Sequence, residues 1–370
     1  MEFNDILEMM VKKKASDLFI TADIPPSIKV HGRIMPVSKT RLDAAQSREL
    51  TLSLMTPEQR DEFMHTKECN FAIATKKAGR FRVSAFVQRD AVGMVLRRIE
   101  TRIPTFDELG LPPILQDLAM VKRGIVFFVG ATGTGKSTSL AAIVGYRNQN
   151  STGHIISIED PIEFVHSHAG CIITQREVGI DTESYEVALR NTLRQAPDVI
   201  LIGEIRTREA MEYAVAFAET GHLVLTTLHA NNANQALDRM LHFFPEEQHD
   251  QVLMDLSLNL RGIVAQQLVP RPDGSGRRAI MEVLLNTPLV SDLVLKGEVH
   301  KIKDLMKRST EQGMITFDQA LYDAFKRGEI TQEDALRHAD SSNEVRLMIK
   351  LGDTSPNALN RTAGNMSFSE

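Results

Sequence analysis

The pattern of apolar and polar positions changes near residue 100. Ahead of that point, Ile6, Leu7 and Met10 form a helical stripe, and apolar residues from Phe81 to Val87 alternate with polar ones. A period of two is typical of a half-buried strand. The pattern predicts a small α+β domain over residues 1–99. Its other predicted elements are strands at 17–21, 28–30, 34–37 and 92–98, a turn at His31-Gly32-Arg33, and helices that begin after Asp43 and at Thr56.

Beyond residue 112, short β-branched runs alternate with helical segments. Residues 100–112 contain prolines and a glycine with little periodicity, so we interpret them as a linker. Nearly all-apolar strands that alternate with helices are typical of a parallel sheet covered on both faces, which predicts an α/β domain over 113–351. Residues 352–370 are rich in Ser, Asn, Gly and Thr, which predicts a disordered tail. The predicted strands and helices are 125–129, 136–147, 154–158, 199–203, 207–219, 223–228 and 233–242, with further helices after about 287.

Composition narrows the classes of function. The 370 residues are 42% hydrophobic and 25% charged, which is ordinary for a globular protein with a sizeable core. The net charge of −5 offers no broad attraction for nucleic acid, so we expect no nucleic-acid partner. Cys69 and Cys171 lack the spacing of a zinc ribbon and fit a reducing, cytosolic compartment. The N-terminus lacks a signal-peptide pattern and no apolar run approaches the roughly 18 residues of a membrane helix, so we expect any membrane association to depend on a partner.

One motif decides the class of chemistry. Residues 130–137, GATGTGKS, match G-x-x-x-x-G-K-[ST], with a predicted strand before them and a predicted helix after them. The glycines let backbone N–H groups point into one concavity that cradles phosphate oxygens, and the helix N-terminus adds a field that favours anions. Lys136 is expected to reach the β- and γ-phosphates, and Ser137 to ligate Mg²⁺. The predicted nucleotide-binding residues are Gly130, Ala131, Thr132, Gly133, Thr134, Gly135, Lys136, Ser137 and Thr138.

The phosphate-binding loop of residues 130–137 (the P-loop) binds nucleotide, but hydrolysis also needs carboxylates, and two acidic groups qualify. Glu163 ends the run Glu159-Asp160-Pro161-Ile162-Glu163, which follows the predicted strand 154–158. Glu204 follows the apolar strand 199–203, where a Walker-B acid is expected. Ligands of open α/β sheets bind at the carboxyl ends of strands, so both carboxylates are candidates for catalysis. The alternative is that either one caps a helix or is simply solvated.

Two histidines flank the predicted strand 223–228. In a continuous strand His222 and His229 lie about 23 Å apart, so they cannot share one metal ion. His229 would stand at the carboxyl end, near the expected nucleotide, where it could sense the γ-phosphate. Two hydrogen-bonded structural histidines are the alternative.

Arginines are dense around the predicted domain junction. Most such charges form a solvated face, but a ring-shaped ATPase needs cations from a neighbouring subunit to stabilise charge on the phosphates. The candidates for this role in trans are Arg97, Arg98, Arg102 and Arg123.

These motifs, in this order, resemble the secretion-ATPase superfamily, and most closely the PilT/PilU family of type IV pilus retraction ATPases. The resemblance covers nearly the whole chain. It is carried by GATGTGKS, ISIEDPIEF, LRQAPDVILIGEIR and TGHLVLTTLHANNA, preceded by SDLFITADIPPSIKVHGRI and FDELGLPPIL. It implies a PAS-like α+β N-terminal domain followed by a RecA-like P-loop ATPase domain. It also implies a hexameric ring at the cytoplasmic face of the inner membrane, where ATP hydrolysis with Mg²⁺ drives pilus retraction and twitching motility.

By position, the resemblance implies that Glu163 is the catalytic glutamate. Glu204 matches the Walker-B glutamate and, with Ser137, would hold Mg²⁺; His222 and His229 match the catalytic His box. The implied partners are further copies of the chain, a PilT-type retraction ATPase and the inner-membrane pilus platform protein.

The sequence departs from the family pattern at three positions. Ala131 replaces the usual proline of the P-loop, which is a mild change. Ser291 and Leu295 replace two arginines of a motif that retraction requires in PilT-like members. These departures favour the accessory, PilU-type branch, in which a PilT-type ATPase completes the motor.

Two other functions remain as alternatives. A pilus-extension or type II secretion ATPase usually carries a four-cysteine zinc module, for which this chain lacks the cysteines. A non-hydrolysing assembly factor would bind ATP without turnover, and Glu163 and Glu204 argue against it.

Overall fold

The structure is a computed structural model that describes residues 3–30, 32–99 and 102–352. The described chain divides into two compact units. The first runs to Arg102 and also includes Pro161–His166 and Arg176–Ser184. The second includes Ile103–Asp160, Ser167–Gln175 and the chain from Tyr185 onward. The predicted tail lies outside the described residues, apart from Gly352.

In the residues that the structure describes, the first unit is an antiparallel sheet with three helices. Its elements are α1 (Phe3–Lys12), β1 (Asp17–Ile20), β2 (Ser27–Val30), β3 (Arg33–Pro36), α2 (Ala44–Ser53), α3 (Pro57–Thr66), β4 (Glu68–Thr75), β5 (Gly79–Gln88) and β6 (Ala91–Arg98). The sheet order is β3-β2-β1-β6-β5-β4. Leu18, Phe81 and Val83 point into its core and are fully buried.

Local sequence signals account for most of these elements. Asp43 and Thr56 form capping boxes at the starts of α2 and α3, as predicted from their positions ahead of the helical segments. The β2–β3 hairpin is also confirmed, although His31 of its predicted turn lies outside the described residues. Strand β4 was not predicted; it pairs along its whole length with β5.

The second unit is a largely parallel sheet between helices. Its elements are α4 (Phe106–Leu109), α5 (Ile114–Met120), β7 (Gly124–Val129), α6 (Lys136–Asn150), β8 (Gly153–Glu159), β9 (Cys171–Glu177), α7 (Tyr185–Thr192), β10 (Val199–Ile202), α8 (Arg208–Glu219), β11 (Leu223–Leu228), α9 (Ala233–Leu241), α10 (His249–Asn259), β12 (Leu260–Pro270), β13 (Arg277–Leu285), α11 (Pro288–Leu295), α12 (Ile302–Arg308), α13 (Phe317–Lys326), α14 (Gln332–His338) and α15 (Ser342–Gly352). The sheet order is β13-β12-β7-β11-β10-β8-β9, and neighbouring strands from β12 to β8 run parallel.

Helices cover both faces of the central strands, so every residue of β7, β10 and β11 is buried. The predicted fold class, a small α+β domain followed by an α/β domain, is confirmed. The carboxyl ends of β7, β8, β10 and β11 meet at one edge of the sheet, because these strands run in the same direction. Ligands of such sheets bind at this edge.

The predicted linker and one side of the second sheet also differ from the sequence expectations. The segment interpreted as a linker contains the one-turn helix α4, which is too short to show periodicity. It begins with a capping box between Thr105 and Glu108, and its Phe106 is buried in the core of the second unit. The β12–β13 hairpin, which forms one side of the sheet, was also not predicted.

No helix in the described part of the chain combines the length and the apolar character needed to cross a membrane.

Candidate active site

The P-loop occupies the turn between β7 and α6, as predicted. Gly130 has φ +154°, and a Cβ there would lie 2.6 Å from the carbonyl oxygen of Gln266 and from the hydroxyl of Thr134. Gly135 has φ +85° and is the N-cap residue of α6. A side chain at either position would therefore be strained or would clash. The backbone here is a concave loop that ends at the N-terminus of α6, which is the geometry of an anion cradle.

Side chains close the P-loop onto itself. The Lys136 Nζ donates hydrogen bonds to the carbonyl oxygens of Gly130 (2.7 Å) and Ala131 (2.9 Å). The Thr134 hydroxyl donates to the carbonyl oxygen of Ala131 at 2.9 Å. Ser137 and Thr138 are half-buried in the first turn of α6. The loop thus has a fixed shape, with an ammonium group at its mouth.

Gln266 of β12 hydrogen-bonds to the P-loop and to α6. Its Nε2 donates to the carbonyl oxygen of Thr134, and its Oε1 accepts from the hydroxyl of Ser139, both at 2.8 Å. The side chain is buried, so these bonds have no competition from water. Gln266 was not predicted as a site residue, because it lies far from the P-loop along the chain and in no recognisable motif.

Glu204 lies just beyond β10 and forms the centre of a polar cluster. Its Oε1 is 3.0 Å from the His229 Nε2, and its Oε2 accepts from the Arg206 Nε at 2.8 Å. Arg206 also lies 3.7 Å from Asp160. The structure therefore brings together Glu204 and His229, two of the predicted site residues, and adds Arg206, which was not predicted.

Glu159 and Tyr185 complete this edge of the sheet. The Glu159 carboxylate accepts from the hydroxyl of Ser157 at 2.6 Å and from the Gln175 Nε2 at 3.1 Å. Tyr185 stands against Gly203, where an added Cβ would meet the phenol oxygen at 2.9 Å. Burial, reinforced by the Asp160 carboxylate, raises the pKa of Tyr185 far above its usual range, so it stays neutral.

An open cleft of about 620 Å³ adjoins the P-loop. Its walls come from P-loop residues, from the turn after β11 and from one side of α9. It is large enough for part of a nucleotide. The lining residues are Ala131, Thr132, His229, Ala230, Asn231, Gln235, Asp238, Arg239 and His242.

The start of α9 is held by a buried carboxylate of β13. Glu282 is 2% exposed, and its Oε1 accepts from the backbone N–H of Ala233 at 2.8 Å. Its Oε2 accepts from the backbone N–H of Phe317, the first residue of α13, at 3.3 Å. One carboxylate therefore serves the N-termini of two helices, where the helix dipoles favour negative charge.

His222 lies at the other end of β11. The strand from Leu223 to Leu228 is continuous, so His222 and His229 stand at opposite ends of it. The His222 Nδ1 is 3.1 Å from both the Thr220 hydroxyl and the Phe217 carbonyl oxygen. The structure thus places His222 at the edge of the sheet opposite the P-loop.

Glu163 is exposed and belongs to the first unit, whereas the P-loop and Glu204 belong to the second. Among the candidate arginines, Arg97 of β6 pairs with Asp17 at 2.9 Å within the first unit. Arg102 is exposed at the end of that unit, and Arg98 is half-buried. Arg123 precedes β7 and so lies at the edge opposite the P-loop.

Comparison with known proteins agrees with these features. Residues 2–337 match the family model described as type II/IV secretion system protein. The type IV pilus ATPase PilU of Pseudomonas aeruginosa is 70% identical over 96% of this chain and 93% of its own length. The retraction ATPase PilT of the same organism is 37% identical over 92% of this chain and 98% of its own.

Solved structures show the same fold. The pilus retraction motor PilT with bound ADP superposes with a TM-score of 0.88 at 37% identity, covering 94% of this chain and 100% of its own. The Legionella pneumophila ATPase DotB superposes with a TM-score of 0.77 at 27% identity, covering 94% of each chain.

Proposed function

The chain belongs to the type II/IV secretion system protein family, and on that premise we propose that it is a hexameric motor ATPase that drives type IV pilus retraction. It works as the accessory to a PilT-type retraction ATPase and acts on the pilus platform protein at the inner membrane. That it is a nucleotide-binding ATPase follows from the family and its ATPase relatives. The observation that carries the proposal is the joint placement of the P-loop, Glu204 and His229 at one edge of the sheet.

The P-loop binds the phosphates of ATP. Its backbone N–H groups and the N-terminus of α6 hold the phosphate oxygens, and the ammonium group of Lys136 offsets the charge of the β- and γ-phosphates. In the structure this ammonium group donates to two neutral acceptors, the carbonyl oxygens of Gly130 and Ala131. Phosphate oxygens are stronger acceptors, because they are charged.

The site also fits a magnesium ion. Mg²⁺ in phosphate sites takes one or two protein oxygens and completes its ligand set with phosphate oxygens and water. The hydroxyl of Ser137 and the carboxylate of Glu204 provide oxygens of this type. No group of three or more His, Cys, Asp or Glu in the described residues is arranged to hold a metal, and a magnesium site of this kind does not need one. When bound, Mg²⁺ neutralises phosphate charge.

Glu163 supplies the carboxylate that orients the attacking water. His229 senses whether a γ-phosphate is bound. Because its Nε2 is 3.0 Å from Glu204, His229 can transmit a change at the phosphates to that carboxylate and to Arg206. His222 stands at the opposite edge of the sheet, so we leave it out of the catalytic set.

Two uncharged residues of α11, Ser291 and Leu295, support the accessory role. Ser291 donates from its hydroxyl to the carbonyl oxygen of Ser257 at 2.8 Å, and Leu295 is 50% exposed. A side chain without charge at both positions cannot make the cationic contacts of the two arginines that retraction requires in PilT-like members. ATP turnover without independent retraction is the expected combination.

The Mg-ATPase activity of the purified full chain tests the enzymatic part. We expect turnover in the wild type, none in Lys136→Ala because nucleotide no longer binds, and none in Glu163→Gln although nucleotide still binds. Glu183→Gln is the matched control, since Glu183 is an exposed acid of the same unit. Equal hydrolysis by Glu163→Gln and the wild type would refute the role of Glu163.

The accessory part is tested in cells that lack both retraction ATPases. Supplying this chain alone should leave pili unretracted, and supplying it with a PilT-type ATPase should increase retraction force. Retraction by this chain alone would contradict the accessory role. Nucleotide binding without turnover in the wild-type chain would instead favour the assembly-factor function.

A further inference from the structure

The segment that carries Glu163 is anchored to the first unit through one buried carboxylate. Glu177, the last residue of β9, has a side chain that is 1% exposed. Its carboxylate accepts a hydrogen bond from the backbone N–H of Ile162, the residue next to Glu163. Ile162 is itself buried at 3% exposure, whereas Glu163 is exposed. The backbone beside Glu163 is therefore held, while its carboxylate stays accessible.

Two arginines of β5 face the same carboxylate. The Arg80 guanidinium lies 4.0 Å from the Glu177 Oε2, and the Arg82 Nε lies 4.0 Å from its Oε1. Arg80 and Arg82 alternate along β5 with the buried Phe81 and Val83, so both arginines stand on the face away from the core. Burial raises the pKa of the Glu177 carboxyl, and the Ile162 N–H and the two arginines oppose that rise. The two arginines thus favour the charged form of the buried carboxyl, against the effects of burial and of Asp181.

The backbone of Glu177 is fixed by a tight turn. Its carbonyl oxygen accepts from the N–H groups of Asp181 (2.8 Å) and Thr182 (3.3 Å). Its own N–H donates to the Asp181 Oδ2 at 2.9 Å. Asp181 in turn lies 3.8 Å from Arg80. The carboxylate is thereby held between β5 and Ile162, and its position sets the position of Ile162.

Three buried polar atoms of this cluster lack a hydrogen-bond partner among the described residues. They are the Glu177 Oε2, the Arg80 Nε and the Thr182 hydroxyl. Buried polar groups are usually paired, so three unpaired atoms in one cluster call for an explanation other than packing.

We propose that Glu177 is a positioning residue for hydrolysis: held by Arg80 and Arg82, it sets the backbone at Ile162 and so aims Glu163 at the attacking water. The inference deepens the proposed function and rests on the catalytic role of Glu163. It explains why the first unit carries arginines on the outer face of β5. It also predicts that losing the contacts of Glu177 lowers turnover and leaves nucleotide affinity unchanged.

The test compares turnover with binding in the full chain. We expect Glu177→Gln to lower kcat about tenfold or more and to leave the Kd for Mg-ATP within about twofold of wild type, because the P-loop is untouched. Arg82→Gln should act in the same direction, and the double variant should be no slower than the slower single variant, because both act through one contact. Glu183→Gln should match the wild type.

A purely structural role gives a different result. It would lower kcat and nucleotide binding together, in proportion to the folded fraction, and that outcome would overturn the inference. So would a kcat within about twofold of wild type in Glu177→Gln and Arg82→Gln. If Glu177→Gln fails to fold, Arg82→Gln alone decides between these outcomes, since Arg82 is only half-buried.

Glu163→Gln, measured in parallel, separates the two proposals. An inactive Glu163→Gln beside a fully active Glu177→Gln overturns the inference alone. An active Glu163→Gln overturns the catalytic role of Glu163 and the inference that depends on it.

Discussion

Gln266 shows how a single side chain can set the shape of a binding loop. Replacing it with Met removes the two bonds to the Thr134 carbonyl and the Ser139 hydroxyl and leaves both groups unpaired in a buried site. Each unpaired group costs about 1–3 kcal/mol. Since 1.4 kcal/mol is tenfold in affinity, we expect the Kd for nucleotide to rise about tenfold or more, which a fluorescent-nucleotide titration would measure.

The neighbouring Gln267 is the matched control for this variant. Its side chain points away from the P-loop and lies 3.1 Å from the His338 Nδ1. Gln267→Met should therefore leave nucleotide affinity unchanged. Equal affinity in Gln266→Met and Gln267→Met would show that the P-loop keeps its shape without this support.

His166 gives the protein a specific sensitivity to acid. Burial lowers the pKa of this imidazole from 6.5 to about 4. Above pH 6.5 the imidazole is neutral in both the folded and the unfolded chain, so the folded state keeps its full stability. As the pH falls towards 4, only the unfolded chain gains the proton, and up to about 3 kcal/mol of unfolding free energy is lost.

His166→Gln tests this sign. The urea midpoint of the wild type should fall between about pH 7 and about pH 4.5 by more than that of His166→Gln, because the variant lacks the titrating group. His65→Gln removes an exposed histidine and should follow the wild type. A parallel fall in wild type and His166→Gln would contradict the prediction.

At the level of elements, Glu282 makes the nucleotide cleft depend on the C-terminal helices. Its carboxylate holds the first N–H of α9, which lines the cleft, and the first N–H of α13. Glu282→Ala leaves both groups buried without an acceptor, so we expect the free energy of unfolding to fall by about 2–5 kcal/mol. Denaturant unfolding measures this loss, and a weaker nucleotide affinity should accompany it.

Glu333 provides the comparison for a carboxylate on the surface. Its side chain is 80% exposed and pairs with Arg337 in the next turn of α14. Glu333→Ala should cost less than about 1 kcal/mol, because exposed ion pairs contribute little. Similar losses in Glu282→Ala and Glu333→Ala would mean that the two helix N-termini do not depend on the buried carboxylate.

The elements that sequence alone predicts are those with local signals. Helices α2 and α3 begin with capping boxes, and β7, β10 and β11 are apolar runs bounded by polar turns. The P-loop adds a fixed spacing of glycines to a strand and a helix. In each case the residues that determine the structure are neighbours in the chain.

Features that depend on distant residues were not predictable in this way. Gln266 and Glu282 hydrogen-bond to backbone groups of the P-loop and of α9. The sequence around each of them has no pattern that predicts these contacts. The grouping of Glu163 with the first unit depends on Glu177 and the arginines of β5, which meet only in the folded chain. Position in the sequence placed Glu163 with the second domain, whereas its packing places it with the first.

At the scale of the whole molecule, the ring that we propose needs an arginine that acts on the nucleotide of a neighbouring subunit. Arg123 lies at the edge of the sheet opposite the P-loop, and Arg97 is paired with Asp17. Arg102 is exposed at the end of the first unit, and we propose it as the first candidate to test for a role in a neighbouring subunit. A cation that acts across subunits contributes about 10³-fold or more to turnover in related phosphoryl-transfer enzymes.

Mixing inactive subunits tests an arginine that acts in trans. Lys136→Ala subunits bind no nucleotide but keep Arg102, and Arg102→Ala subunits keep the P-loop but lack the arginine. Neither should hydrolyse ATP alone, whereas a mixed ring should regain activity wherever an intact P-loop faces an intact arginine. Mixing Lys136→Ala with Glu163→Gln should restore nothing, because we propose that Glu163 acts on the nucleotide of its own subunit. If the Arg102→Ala mixture also stays inactive, the arginine acts within its own subunit, and Arg97 and Arg98 become the variants to mix next.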